Sequence, residues 1–165
     1  MMFRTLSTIA FSTACLFSVN AWAASFAQLS SAEPQLATST EANTVVMEST
    51  DAAVGMTNDN GILTVEEGGT YFVIAAGQVG GESSGSVKIW IRVNGEDVPN
   101  TNTEQAIPSG SFTAVQVCQG VYELKAGDNI SVAYSASGPG LGLIVRKPEG
   151  EPLVPSIIFT AFKVN

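Results

Sequence analysis

SVKIWIRVNGEDVPNTNT, residues Ser86 to Thr103, holds the key to the fold. Val87, Ile89, Ile91 and Val93 alternate with Lys88, Trp90 and Arg92, the period of a strand with one face buried. Asn94-Gly95 then interrupts the run with the two residues that best tolerate positive φ, the mark of a tight hairpin turn. Beyond it, Asn100-Thr101-Asn102-Thr103 supplies short polar side chains able to satisfy turn backbone locally. The stretch reads as architecture rather than chemistry.

Similar punctuation recurs along the chain. Asp59-Asn60-Gly61 precedes Ile62 to Val65, and Glu67-Gly68-Gly69 precedes Thr70 to Ala76. A Gly-Ser loop from Gly77 to Gly85 leads into the run already described. Ile107-Pro108-Ser109-Gly110 turns into Ser111 to Cys118, and Tyr122 to Leu124 meets a turn at Lys125-Ala126-Gly127-Asp128. Ile130 to Ser135, a Gly/Pro loop from Ser137 to Gly142, the short Leu143 to Val145, a loop from Pro148 to Pro155 and Ser156 to Val164 complete the chain. No window carries a helical period, and no repeat, heptad or Gly-X-Y run is present. Many short strands between Gly and Pro turns predict an all-β protein, an antiparallel two-sheet jelly-roll sandwich.

The first residues read as a processing segment. Arg4 precedes a small, apolar stretch from Leu6 to Val19, and Ala21-Trp22-Ala23 fits the small-x-small cleavage rule. The expected organisation is a signal peptide over 1–23, an extended amino-terminal arm with the first strand or strands over 24–50, and the remainder of a single domain over 51–165 that includes the arm strand. Cleavage would remove Cys15 and leave Cys118 alone, in an apolar run where a buried, inert thiol is the expected state. It would also remove one of seven basic residues, so six remain against fifteen acidic ones and the net charge becomes 6 − 15 = −9. Such a surface repels nucleic acid and anionic lipid. It suits an exported protein, extracellular or on the cell surface, with the periplasm as another compartment and no membrane span.

Chemistry is sparse. The chain has no histidine, which removes Ser-His triads, the usual zinc sites and the commonest general base. Gly81-Glu82-Ser83-Ser84-Gly85 has the G-x-S-x-G spacing of hydrolases but neither the histidine nor the strand-to-helix setting that gives it meaning. Asn58-Asp59-Asn60-Gly61 resembles part of a calcium loop, with Glu67 at the distance of the last ligand, yet Met56 stands at the first ligand position. No cofactor is expected, and calcium is left without a complete motif. The pairs Glu96–Asp97 and Glu149–Glu151 read as solvated turn acids.

Four segments in order resemble the globular head of the complement C-one-q type, in its bacterial and phage forms, and with it the tumour-necrosis-factor-like jelly roll. Gly61-Ile62-Leu63-Thr64-Val65-Glu66-Glu67-Gly68-Gly69-Thr70-Tyr71-Phe72-Val73 is similar to the family's Gly-x-Tyr-Phe opening of a central strand. Ile89 to Gly95 followed by Val98-Pro99-Asn100-Thr101 resembles its strand, Asn-Gly turn and Pro-Asn step. Leu124 to Val132 is similar to its Leu-x-x-Gly-Asp-x-Val segment, and Ile158-Phe159-Thr160-Ala161-Phe162 to its closing strand. The likeness covers about Phe26 to Val164; the family's collagen-like stalk is missing.

The resemblance implies a homotrimer. Both faces of Tyr71 to Ala76 are apolar, with Phe72 and Ile74 on one and Tyr71, Val73 and Ala75 on the other, so the strand needs two covers. The expected interface residues are Tyr71, Tyr134, Phe159 and Phe162; the chain's own arm is the alternative cover. Asn94, Gly95, Gly127 and Asp128 are expected as structural turn residues. The leading function is non-catalytic recognition or adhesion at a cell surface or in an extracellular matrix, toward an unknown carbohydrate or protein, through the loops Gly77 to Gly85, Asn100 to Gly110 and Ser137 to Pro155. An alternative is a fibre or biofilm subunit assembled by strand donation through Phe26 and Leu29. A carboxylate-dependent glycan hydrolase is the third reading.

Overall fold

The computed structural model describes residues 24–165; the 1–23 segment, with Cys15, lies outside the described residues. Fourteen strands and no helix are present among them. In chain order they are β1 (Phe26–Ser31), β2 (Gln35–Leu36), β3 (Asn43–Thr44), β4 (Ser49–Val54), β5 (Met56–Asp59), β6 (Ile62–Val65) and β7 (Gly69–Gly81). β8 (Gly85–Val93), β9 (Glu96–Asp97), β10 (Thr103–Ile107), β11 (Thr113–Leu124), β12 (Asn129–Ala136), β13 (Leu141–Leu143) and β14 (Ile157–Lys163) follow.

Every pairing is antiparallel, and the strands form two sheets. The first runs β11–β7–β14–β1–β4, with β13 and β2 continuing beside the last residues of β7. The second runs β10–β8–β12–β6–β5, with β3 on β12 and β9 on β8. The two are the layers of a jelly-roll sandwich.

Between them lies one core. Leu29, Tyr71, Val73, Ala75, Phe159 and Ala161 from the first sheet meet Leu63, Ile89, Ile91, Ile130, Val132 and Tyr134 from the second. The alternation read in β8 places Val87, Ile89 and Ile91 in this core. Asn94 and Gly95 both have positive φ, 52° and 82°, as the two central residues of a tight hairpin require. Asn60 and Gly61 do the same at the β5–β6 turn, where Asn58 Oδ1 accepts from Gly61 N at 2.8 Å. That segment is therefore a hairpin with an Asn-closed turn.

Several expectations need correction. Tyr71 and Phe159 are wholly enclosed by their own chain and Tyr134 is 5% exposed, so these three pack the core and leave nothing for a partner to cover. Of the four expected interface residues, Phe162 alone faces outward, 43% exposed. The arm is not free to be donated. β1 is hydrogen-bonded on both sides, to β14 and to β4 of its own chain, and Leu29 is fully buried; Phe26 faces outward from the same strand. Ser25 anchors its start: its hydroxyl lies 3.3 Å from both Gly55 O and the Tyr71 hydroxyl, either of which can accept its one proton, while Tyr71 Oη donates to Glu67 O at 2.7 Å.

Two strands also exceed the sequence reading. β7 runs on to Gly81, so the Gly-rich stretch from Gly77 is mostly strand and only Glu82 to Ser84 form the turn. β11 is continuous from Thr113 to Leu124, passing through Gly120, where a Cβ would collide with the Tyr122 ring.

Candidate functional site: an apolar sheet face and a cleft at the loop end

The inward residues of the first sheet are spent on the core, and the outward ones are unusually apolar. Register fixes which they are. Val121 pairs with Phe72, Phe72 with Phe162, Phe162 with Phe26 and Phe26 with Val54. One uninterrupted apolar row therefore crosses five strands on the surface. Val121, Phe162, Phe26 and Val54 are exposed, and Phe72 is half-buried among them. A second row, Val117–Ala76–Ile158, runs parallel to it and ends at Ser30. Ile74 lies between the two rows, flanked by Gln119 and Thr160. Contiguous apolar surface on this scale marks a place where something else sits. The face ends at β11, whose backbone pairs with a strand on one side only among the described residues.

At the loop end the same sheet frames a cleft of about 610 Å³. Its walls come from the end of β7 and the turn after it (Gly81, Glu82, Ser83), from Ser111, Phe112 and Thr113 entering β11, and from Gly140, Ile144 and Arg146 near β13, with Leu36 alongside. Of the three loops expected to carry recognition, the first and third thus converge. The second contributes through the residues that follow it, since Asn100 to Gly110 includes β10 and Thr101 is buried. Backbone bonds hold the walls: Ile144 N donates to Gln78 O at 2.8 Å, Gly140 N to Ala37 O at 2.9 Å, and Arg146 and Val154 exchange bonds of 3.1 and 2.9 Å. A Cβ on Gly80 would lie 2.7 Å from both Ile144 Cδ1 and the Phe112 carbonyl oxygen, so glycine lets those walls close on β7. Nothing in the sequence periodicity signalled the cleft; only the pairing of β13 with β7 brings residue 146 beside residue 82.

The expected turn residues are joined to one another. Asn94 Nδ2 donates to Asp128 Oδ1 at 3.0 Å, Asn129 N donates to Asn94 Oδ1 at 2.9 Å, and Lys125 N donates to Asp128 Oδ2 at 2.8 Å. Gly127 completes its turn with φ 89°. The Lys125 amide, and then Asn94, hold the Asp128 carboxyl below the usual aspartate range. Asp97 accepts from Arg92 Nε at 2.6 Å and from Trp90 Nε1 at 2.7 Å; its carboxyl is lowered, chiefly by Arg92. Arg92 also lies 5.5 Å from the Trp90 ring centroid, completing a structural cluster on the second sheet. Among the described residues no group of three or more Cys, Asp or Glu side chains is placed to hold a metal ion.

No family model matches the chain, and no curated protein does. Among solved structures it is similar to the crystal structure of murine APRIL at pH 5.0, with 16% identity and a TM-score of 0.58 over 86% of this chain and 99% of that one. At that identity the likeness is one of fold, and it is to a tumour-necrosis-factor-type jelly roll.

Proposed function

We propose that the chain is an exported, non-catalytic jelly-roll head of the bacterial complement-type class that assembles as a homotrimer and acts in recognition or adhesion at a cell surface or in an extracellular matrix. One observation carries this reading: the apolar row Val121–Phe72–Phe162–Phe26–Val54 on the outside of the first sheet. The chain's own arm does not cover that row, because β1 lies within the sheet and contributes Phe26 to it.

Magnitudes favour a large, shared contact. Covering a half-exposed Val or Phe completely returns roughly 1 kcal/mol, half of a full transfer. Five such side chains reach only the low end of the roughly 4–15 kcal/mol that association costs. The Val117–Ala76–Ile158 row and Ile74 must be covered too, which calls for a partner surface as broad as the sheet. A second copy supplies one, and the open β11 edge of that copy carries Val115, Val117 and Val121 to lay against it. Threefold order is drawn from the resemblance of the four sequence segments and the likeness in fold. Among the described residues no helix is long and apolar enough to cross a membrane.

Light scattering on the purified protein at micromolar concentration tests the reading. A mass three times that of the chain supports it; a monomer removes it.

A further inference from the structure

The loop-end cleft has a feature that stability does not require. Arg146 and Glu82 line the same cavity but form no ion pair, and the Arg146 guanidinium makes no hydrogen bond among the described residues. Lys88, Arg92 and Lys163 each face a carboxylate within 4.0 Å, whereas Lys125, Arg146 and Lys147 do not, and of these three Arg146 is the one that lines the cleft. An arginine whose backbone is pinned by the Val154 bridge, and whose charge is left open at a cavity, is a ready partner for an anion. Its fork matches a carboxylate with two parallel hydrogen bonds.

The rest of the lining narrows the choice. Phe112 and Ile144 offer an apolar wall, while the hydroxyls of Ser83 and Ser111 and the Glu82 carboxylate offer hydrogen bonds. A simple inorganic anion would use the arginine and waste the apolar wall, and Glu82 would repel it. A fatty acid would waste the hydroxyls. A ring with one apolar face, several hydroxyls and one carboxylate uses all of them, with its hydroxyls donating to Glu82. The 610 Å³ volume lies in the roughly 300–1,000 Å³ range of small-ligand sites.

We propose that this cleft binds an acidic saccharide of the uronic-acid class, with Arg146 taking the sugar carboxylate and Phe112 lying against the ring. The proposal rests on the recognition reading above, but every lining residue comes from a single chain, so assembly and ligand can fail separately.

The test is calorimetric titration of the purified protein with trigalacturonate and with its methyl ester, which keeps the shape and removes the charge. Saturable binding is expected for the acid, with at least tenfold weaker binding of the ester. Arg146→Ala should weaken the acid tenfold or more while leaving the ester unchanged, Arg146→Lys should recover part of the loss, and Phe112→Ala should weaken both sugars. Circular dichroism shows whether each variant is folded; Arg146 is exposed, so its substitution leaves the core intact. Failure to saturate at millimolar sugar, equal binding of acid and ester, indifference to Arg146→Ala, or tighter binding of decanoate would overturn the proposal. Light scattering on the same samples separates the two claims: a monomer that binds keeps the cleft and loses the trimer, and a trimer that does not bind does the reverse.

Discussion

Phe72 and Phe162 are register partners on neighbouring strands, their ring centroids 5.3 Å apart and tilted by 43°, and both turn away from the core of their own chain. Adjacent rings in this range attract one another, and here their outer surfaces are turned to solvent. If this face is the contact of the proposed trimer, Phe72→Glu or Phe162→Glu should give monomers by light scattering while the far-UV spectrum stays that of the parent. Tyr71→Ala, one residue away, should do something different. Tyr71 is wholly enclosed, and losing an aromatic core side chain costs about 3–5 kcal/mol, enough to unfold a marginal domain. Neighbouring positions with opposite consequences are what a two-faced strand demands. An assembly that survives both glutamate variants would remove the face from the interface.

That contrast also marks where the sequence was legible. Turn chemistry was local and readable: Asn-Gly at 94–95 and Asp-Asn-Gly at 59–61 need only positive φ, and the strand ends follow from them. Strand parity was not readable in β7. Its residues are apolar on both faces, so alternation could not say which face meets the second sheet, and the prominent aromatic at 71 lay on the inner one. Phe159 and Phe162 lie on opposite faces of β14 because they are three residues apart, an odd spacing in a period of two. The arm's fate depended on pairing with β14, which sets Leu29 opposite Phe159, 130 residues further along the chain. The cleft depended on β13 joining β7. Both are long-range facts that no local pattern contains.

The Asn94–Asp128 bond ties two hairpin ends that lie 34 residues apart in sequence. Its sign with pH follows from the lowered Asp128 carboxyl. A carboxylate whose folded value is depressed contributes stability above its unfolded value, near 4, and that contribution disappears as pH falls through the folded value. The melting temperature should therefore fall on acidification below about pH 4 more steeply in the parent than in Asp128→Asn. Asn94→Ala should flatten the same profile in part, because the Lys125 amide remains. Parallel profiles for all three proteins would show that the bond adds nothing.

Gly95 isolates a conformational cost from a packing cost. Its φ is 82° and a Cβ there would meet nothing within 4 Å, so substitution strains the backbone without a collision. Gly95→Ala should destabilise by about 1 kcal/mol, Gly95→Asn by less, and Gly95→Val by more, because a branched side chain tolerates left-handed backbone worst. Urea denaturation with unchanged m-values would show that order. Equal midpoints for Ala, Asn and Val would mean that the turn rearranges.

Cys118 turns inward from β11, 1% exposed, and burial pushes its thiol up to about 12. The thiolate is the nucleophile, so the native protein should react with an aromatic disulfide at pH 8 only as fast as the site opens. Labelling should jump to the rate of a free thiol in denaturant, where the ordinary value near 8.5–9 returns. The linkage runs in the alkaline direction. A group whose folded value is raised stabilises fully below its unfolded value, and that stability is lost as pH rises from about 9 toward 12. Cys118→Ala removes the effect, so its midpoint should fall less than the parent's over that window, after allowance for the small cavity it leaves. Rapid labelling of the folded protein at pH 8 would instead mean that β11, the open edge of the sheet, lifts away from the core in solution.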